Sequence, residues 1–132
     1  RSATGFNSKR LNMILAILEK RAGIQIGSKD VFLNITGGIN IDDPSIDLAV
    51  ISSIISSHEN IPIDRNICFS GEIGLSGELR GISKPKERLS EAEKLGFNLF
   101  VTSNSNIDNL DKSKIVIKKL DQIEDLIEFL FR

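Results

Sequence analysis

The chain has 132 residues, with 17 Lys and Arg against 18 Asp and Glu, a formal net charge of -1, and 40% hydrophobic and 27% charged residues. That length suits one domain around a single core, and the composition excludes a disordered or membrane chain, since the apolar runs are far too short to span a bilayer. Near-neutral charge excludes an overall basic nucleic-acid binder but leaves room for a local patch.

In chain order, SKRLNMILAILEKRA at 8–22 sets Leu11, Ile14, Leu15, Leu18 and Ala22 at helical spacing, with Ser8 to cap the helix and Gly23 to end it. DVFLNIT at 30–36 alternates Val31, Leu33 and Ile35 against Phe32 and Asn34, the pattern of a strand ending at Gly37-Gly38. A second helix is predicted from 44 to about 57, with Asp43 as N-cap and Pro44 as first helical residue; its apolar positions are too many for one stripe, so it should be largely buried.

Two short strands in a hairpin are expected within NICFSGEIGLSGELRGI, 66–82, and a third helix from about 84 to 95, stopping at Gly96. NLFVTS at 98–103 reads as a strand. SNSNIDNLDKS is a polar connection with room for one helical turn, KIVIKKL at 114–120 alternates like a strand, and DQIEDLIEFLFR closes the chain as a helix. Helices and strands interleave, but the glycine-spaced hairpin breaks a simple parallel repeat. The expected class is therefore α/β in the mixed α+β sense, one mixed sheet with packed helices over residues 1–132.

One cysteine, Cys68, excludes an internal disulfide and suits a cytosolic compartment, and one histidine, His58, argues against a zinc site. The chain opens on Arg1 with no targeting pattern, as expected of a piece of a longer polypeptide. The phosphate-binding pattern GxxxxGK[ST] is absent, so no nucleotide hydrolysis is expected of this stretch. The pattern GxSxG is absent, and His58, expected just past a helix end, is not expected to be functional.

Ser45 follows Pro44 at a helix start. It is either a structural residue of the first turn or a nucleophile activated by a lysine, with the helix amides as oxyanion donors. RGISKPKER, 80–88, gathers Arg80, Lys84, Lys86 and Arg88, which is either a solvated turn or a phosphate-contacting patch. Arg1, Lys9 and Arg10 would add to the patch if the fold brings them alongside. The seven Phe, expected mostly in apolar elements, favour contact with a duplex backbone over stacking on single strands.

RSATGFNSKRLNMILAILEKRAG, DVFLNITGGINIDDPSIDLAV and GEIGLSGELRGISKPKERLSEAEKLGF resemble the C-terminal domain of the bacterial RadA (Sms) family of DNA repair and recombination proteins. The resemblance covers most of residues 1 to about 97. It implies a fold like the proteolytic domain of Lon, of the ribosomal protein S5 domain 2-like type. It also implies a longer protein with a zinc motif and a RecA-like ATPase using ATP and Mg, a hexameric ring, and ATP-driven branch migration. In that setting this domain is a cytoplasmic, non-proteolytic assembly platform without a cofactor of its own, and it touches DNA through Arg1, Arg10, Arg80, Lys84 and Lys86.

The same resemblance offers an alternative. Lon carries its nucleophile in a P-S-A-G pattern; Pro44-Ser45-Ile46-Asp47 keeps the first two residues, and Lys86 falls where the catalytic lysine is expected, so Ser45 and Lys86 would form a serine-lysine peptidase dyad. Asp47 stands against that, because a carboxylate beside the nucleophile would occupy the oxyanion amides and keep a nearby lysine protonated.

Overall fold

The computed structural model describes residues 1–106 and 114–132. Strand β1 (Ser2–Thr4) leads into helix α1 (Ser8–Ala22), which is followed by β2 (Phe32–Asn34). A single 3-10 turn, Pro44–Ile46, feeds α2 (Asp47–Glu59). Strands β3 (Ile67–Ser70), β4 (Glu72–Ile73) and β5 (Leu79–Arg80) precede α3 (Pro85–Lys94). Then come β6 (Leu99–Ser103), a 3-10 turn at Asn104–Asn106, β7 (Val116–Leu120) and α4 (Ile123–Phe131).

The predicted α/β class holds, but the described strands form three separate sheets in place of one mixed sheet, and two local expectations are corrected. The first helix is capped by Asn7, whose side chain accepts from the Arg10 amide, rather than by Ser8. The 66–82 segment makes three strands, not two: only β4 and β5 form the antiparallel hairpin, while β3 joins a parallel sheet in the order β3-β6-β7. A strand at the N-terminus, unread in the sequence, pairs in parallel with β2, Ala3 opposite Leu33. Of the polar connection, only the turn at Asn104–Asn106 is seen; residues 107–113 lie outside the described residues.

The three-stranded sheet has a core on each face, because alternate residues of a strand point to opposite sides. From β6, Val101 packs with Leu11, Ile14 and Leu18 of α1, Leu48 and Ile51 of α2, and Leu126 of α4. Phe100 points the other way, towards Leu89 and Ala92 of α3 and Ile115. That second, smaller cluster fixes which face of α3 turns inward. Among the described residues, no helix is long and apolar enough to cross a membrane.

At the start of α2, Gly71 sits against Leu48 so closely that a Cβ there would fall 2.6 Å from Leu48 Cδ1. The approach lets two backbones lock: Gly71 N–H donates to Ser45 C=O at 2.9 Å and Leu48 N–H donates to Gly71 C=O at 3.2 Å. The turn bearing Ser45 is thereby tied to the end of β3.

Candidate functional site

The site is the segment Asp43 to Asp47 with what reaches it from α1 and α3. Asp43 caps the 3-10 turn as the sequence predicts, its Oδ1 accepting from the Ser45 amide at 3.0 Å. Ser45 is 3% exposed. The partner of its hydroxyl is Arg88, whose Nη1 donates to Ser45 Oγ at 2.9 Å while Nη2 donates to Asp43 Oδ2 at 2.7 Å. The Arg88 Nε donates to Ser83 C=O at 2.7 Å, so the guanidinium is held on three sides.

Lys86, expected opposite Ser45, is exposed on the outer side of α3, beside Glu87, Ser90, Glu91 and Lys94. The physical reason is helical phase. Leu89 and Ala92 are the buried residues of α3, and Arg88 flanks that stripe on one side, whereas Lys86 and Ser90 lie along the other flank. The cation that reaches Ser45 Oγ is Arg88, two residues further along the chain.

The exchange of cation changes the chemistry. A lysine near neutral pKa accepts a proton from a serine; a guanidinium stays charged in proteins and has no lone pair to offer. Arg88 can orient the Ser45 hydroxyl but cannot deprotonate it.

The oxyanion side is likewise committed. The Ser45 amide donates to Asp43 Oδ1, the Ile46 amide to Asp43 C=O at 3.3 Å, the Asp47 amide to Pro44 C=O and the Leu48 amide to Gly71 C=O. Four successive N–H groups at this helix entry are bonded within the protein. An oxyanion hole requires donors aimed at the developing charge, and these already have acceptors.

Asp47 does not take the part expected of it. Its carboxylate is turned inward, 0% exposed, and accepts from Arg10 Nε at 2.7 Å, from Arg10 Nη2, and from the Ile73 amide at 3.0 Å. It ties α1, α2 and β4 together and leaves the helix amides to other acceptors. The pairing raises the Arg10 pKa, chiefly through the hydrogen bond to Asp47. Around Ser45, the Asp43 carboxyl is held below its ordinary range, first by the Ser45 amide and then by Arg88.

Of the five cations expected to face nucleic acid, Arg1, Arg10 and Arg80 make contacts within the protein, and Lys84 and Lys86 are exposed. Arg1 Nη2 donates to the carbonyls of Ile26 and Gly27 at 3.2 and 3.0 Å. Arg10 is engaged with Asp47 and lies 3.6 Å from Glu72. Arg80 pairs with Glu78 at 3.1 Å but remains more than half exposed, and Lys84 and Lys86 are exposed. Lys84 adopts a left-handed backbone, φ 52°, at the entrance to α3. Among the described residues, no group of three or more His, Cys, Asp or Glu is placed to hold a metal ion.

The segment Pro44 to Asp47 and the Arg88 contact lie within residues 19–131, the span matched by the family of the Lon protease (S16) C-terminal proteolytic domain. The chain is also similar to the DNA repair protein RadA of Bacillus subtilis (strain 168), 41% identical over 114 residues that make up 86% of this chain and 25% of the relative. The RadA of Streptococcus pneumoniae (strain ATCC BAA-255 / R6) is 37% identical over 99% of the chain and 31% of the relative. That of Rickettsia felis (strain ATCC VR-1525 / URRWXCal2) is 42% identical over 98% of the chain and 28% of the relative. The chain thus spans between 25% and 31% of the length of these relatives. With a mixed α/β fold and the Ser45 turn at the head of α2, it belongs to the Lon protease (S16) C-terminal proteolytic domain family.

Proposed function

We propose that this chain is the Lon-like C-terminal domain of a RadA-type DNA repair protein, acting as an assembly and DNA-contacting module and not as a protease. The observation that carries the reading is the Arg88 guanidinium on Ser45 Oγ, where a peptidase needs a group able to accept a proton. The committed amides at Ser45 to Leu48 support the same conclusion. The relatives carry the name DNA repair protein, and about three quarters of the B. subtilis protein lies outside the match.

In this reading the remainder of the protein supplies a zinc motif and a RecA-like ATPase with ATP and Mg. The whole forms a cytoplasmic hexameric ring that migrates branches in recombination intermediates. This domain adds positive charge along duplex DNA through Arg80, Lys84 and Lys86, which are exposed. Arg1 contributes from the opposite end of the sequence, and Arg10 only to the extent that Asp47 leaves its charge uncompensated.

Two measurements test the proposal. Hydrolysis of a fluorescently labelled unfolded protein should stay at background for the wild-type chain, Ser45→Ala and Lys86→Ala alike. Cleavage by the wild type that Ser45→Ala abolishes would establish the serine-lysine alternative instead. Duplex binding should weaken with rising salt, and Arg80→Ala combined with Lys84→Ala should reduce the salt slope by about two. Binding unaltered by that pair removes these residues from the interface.

A further inference from the structure

Among the described residues, Asn60 and Lys84 have a left-handed backbone without being glycine. Asn60 ends α2, a place where asparagine often stands in for glycine. Lys84 is different: it opens α3 and precedes Pro85, and a residue before proline favours the extended region. Its Cβ opposes a φ of 52° as well, so the turn is strained and survives only because the surrounding contacts over-determine it.

Arg88, one turn into the helix, supplies those contacts. Its Nε donates to Ser83 C=O at 2.7 Å, directly before the strained residue, while Nη1 reaches Ser45 Oγ at 2.9 Å and Nη2 reaches Asp43 Oδ2 at 2.7 Å. The guanidinium thus pins the turn to the Ser45 segment. Beyond it α3 is lightly held: its buried residues are Leu89 and Ala92, packed in the small cluster with Phe100 and Ile115, whereas α1 buries Leu11, Ile14, Leu15, Ile17 and Leu18 in the main core. Elements with few buried apolar contacts are the ones that open locally.

We propose that α3 is a lid over Ser45, hinged at Lys84 and latched by Arg88. Closed, it keeps Ser45 buried under the guanidinium. Open, Arg88 leaves Ser45, Asp43 and Ser83, and Lys84 relaxes to the extended backbone that Pro85 favours.

Strain released at the hinge opposes the latch and keeps the two forms close in free energy. The Asp43 side chain is 43% exposed, so the latch is an ion pair that water reaches, and such pairs are weak enough to part. The device goes beyond the assembly and DNA-contacting reading, and it operates on the chain without nucleic acid.

Native-state hydrogen exchange by NMR, at urea concentrations below the unfolding transition, tests the lid on the 132-residue chain. The Arg88 to Leu95 amides should exchange faster than those of Ile51 to Ile55 in α2, with a rate nearly independent of urea, because opening a lid exposes little surface. Arg88→Met should speed the α3 amides about tenfold. Lys84→Gly, free of strain at this φ, should slow them about fivefold, and Lys84→Ala, which keeps the strain and drops the charge, should leave them within about twofold. A urea dependence as steep as that of α2 means that α3 leaves only on global unfolding and overturns the lid. So does an α3 rate indifferent to Arg88→Met, or equal rates in Lys84→Gly and Lys84→Ala. Duplex affinity enters none of these measurements, so their failure leaves the proposed DNA contacts standing.

Discussion

Asp43 and Asp47 stand either side of Ser45, each bound by an arginine from a different helix, yet the two pairs do different work. Asp47 is fully buried and shares its oxygens between Arg10 and the Ile73 amide, so its charge holds three elements in register. Asp43 remains partly open to solvent, and its pair with Arg88 brings a guanidinium over the Ser45 hydroxyl. The same two chemical groups make a structural tie where water is excluded and a cover for a side chain where it is not. Burial, not residue type, separates the roles.

The comparison is broken most directly at Asp47. Replacement by Ala removes the partner of Arg10 and leaves the Ile73 N–H without its acceptor, and should cost about 3 kcal/mol, the low end for a broken buried pair because Arg10 reaches solvent. Urea unfolding measures it. Asp47→Asn keeps an acceptor for Ile73 and should cost about half as much; equality with Ala would mean that the amide contact contributes nothing.

Asp43→Ala should cost about 1 kcal/mol, through loss of the cap on the Ser45 amide. Asn at this position caps as well as Asp, so Asp43→Asn should recover most of the loss and leave only the surface pair with Arg88 unreplaced, worth under about 1 kcal/mol. A large loss in Asp43→Asn would move weight from the cap to the ion pair.

The smallest effect is on acidity. The Asp43 carboxyl is depressed in the folded chain, first by the Ser45 amide and second by Arg88. Its contribution to stability is therefore complete above about pH 4 and fades as pH falls through the folded pKa. A carboxyl carbon titration of Arg88→Met by NMR should show the Asp43 value rising only part of the way to normal, since the amide remains. A complete return to normal would reverse the order of the two causes.

Much of this architecture is legible in the residues. The 3.6 spacing from Leu11 to Leu18 located α1, and Asp43-Pro44 marked the entry to the α2 region to within the 3-10 turn. The partners of β3 were not legible, because short apolar strands around glycines look alike whether their hydrogen bonds run to the next strand or to one far along the chain. At the site, Ser45 was found from its place after a helix-starting proline, but its partner was not. Distance along the chain favoured Lys86, whereas the apolar pair Leu89 and Ala92 carried the helical phase that turns Arg88 inward. Asp47 was noticed as a misfit and given the wrong direction, since nothing local announces that Arg10 will lie across from it. The outward direction of Phe32, by contrast, was present in the alternation of its strand.

The middle strand of the sheet, β6, lies parallel to both its neighbours, β3 before it and β7 after it. Parallel partners cannot be joined by a tight turn, so each pairing must wait for a crossover segment to be laid down. Such non-local pairing is slow to nucleate. On a ribosome the sheet stays incomplete, with one side of β6 open, until β7 at Val116–Leu120 emerges.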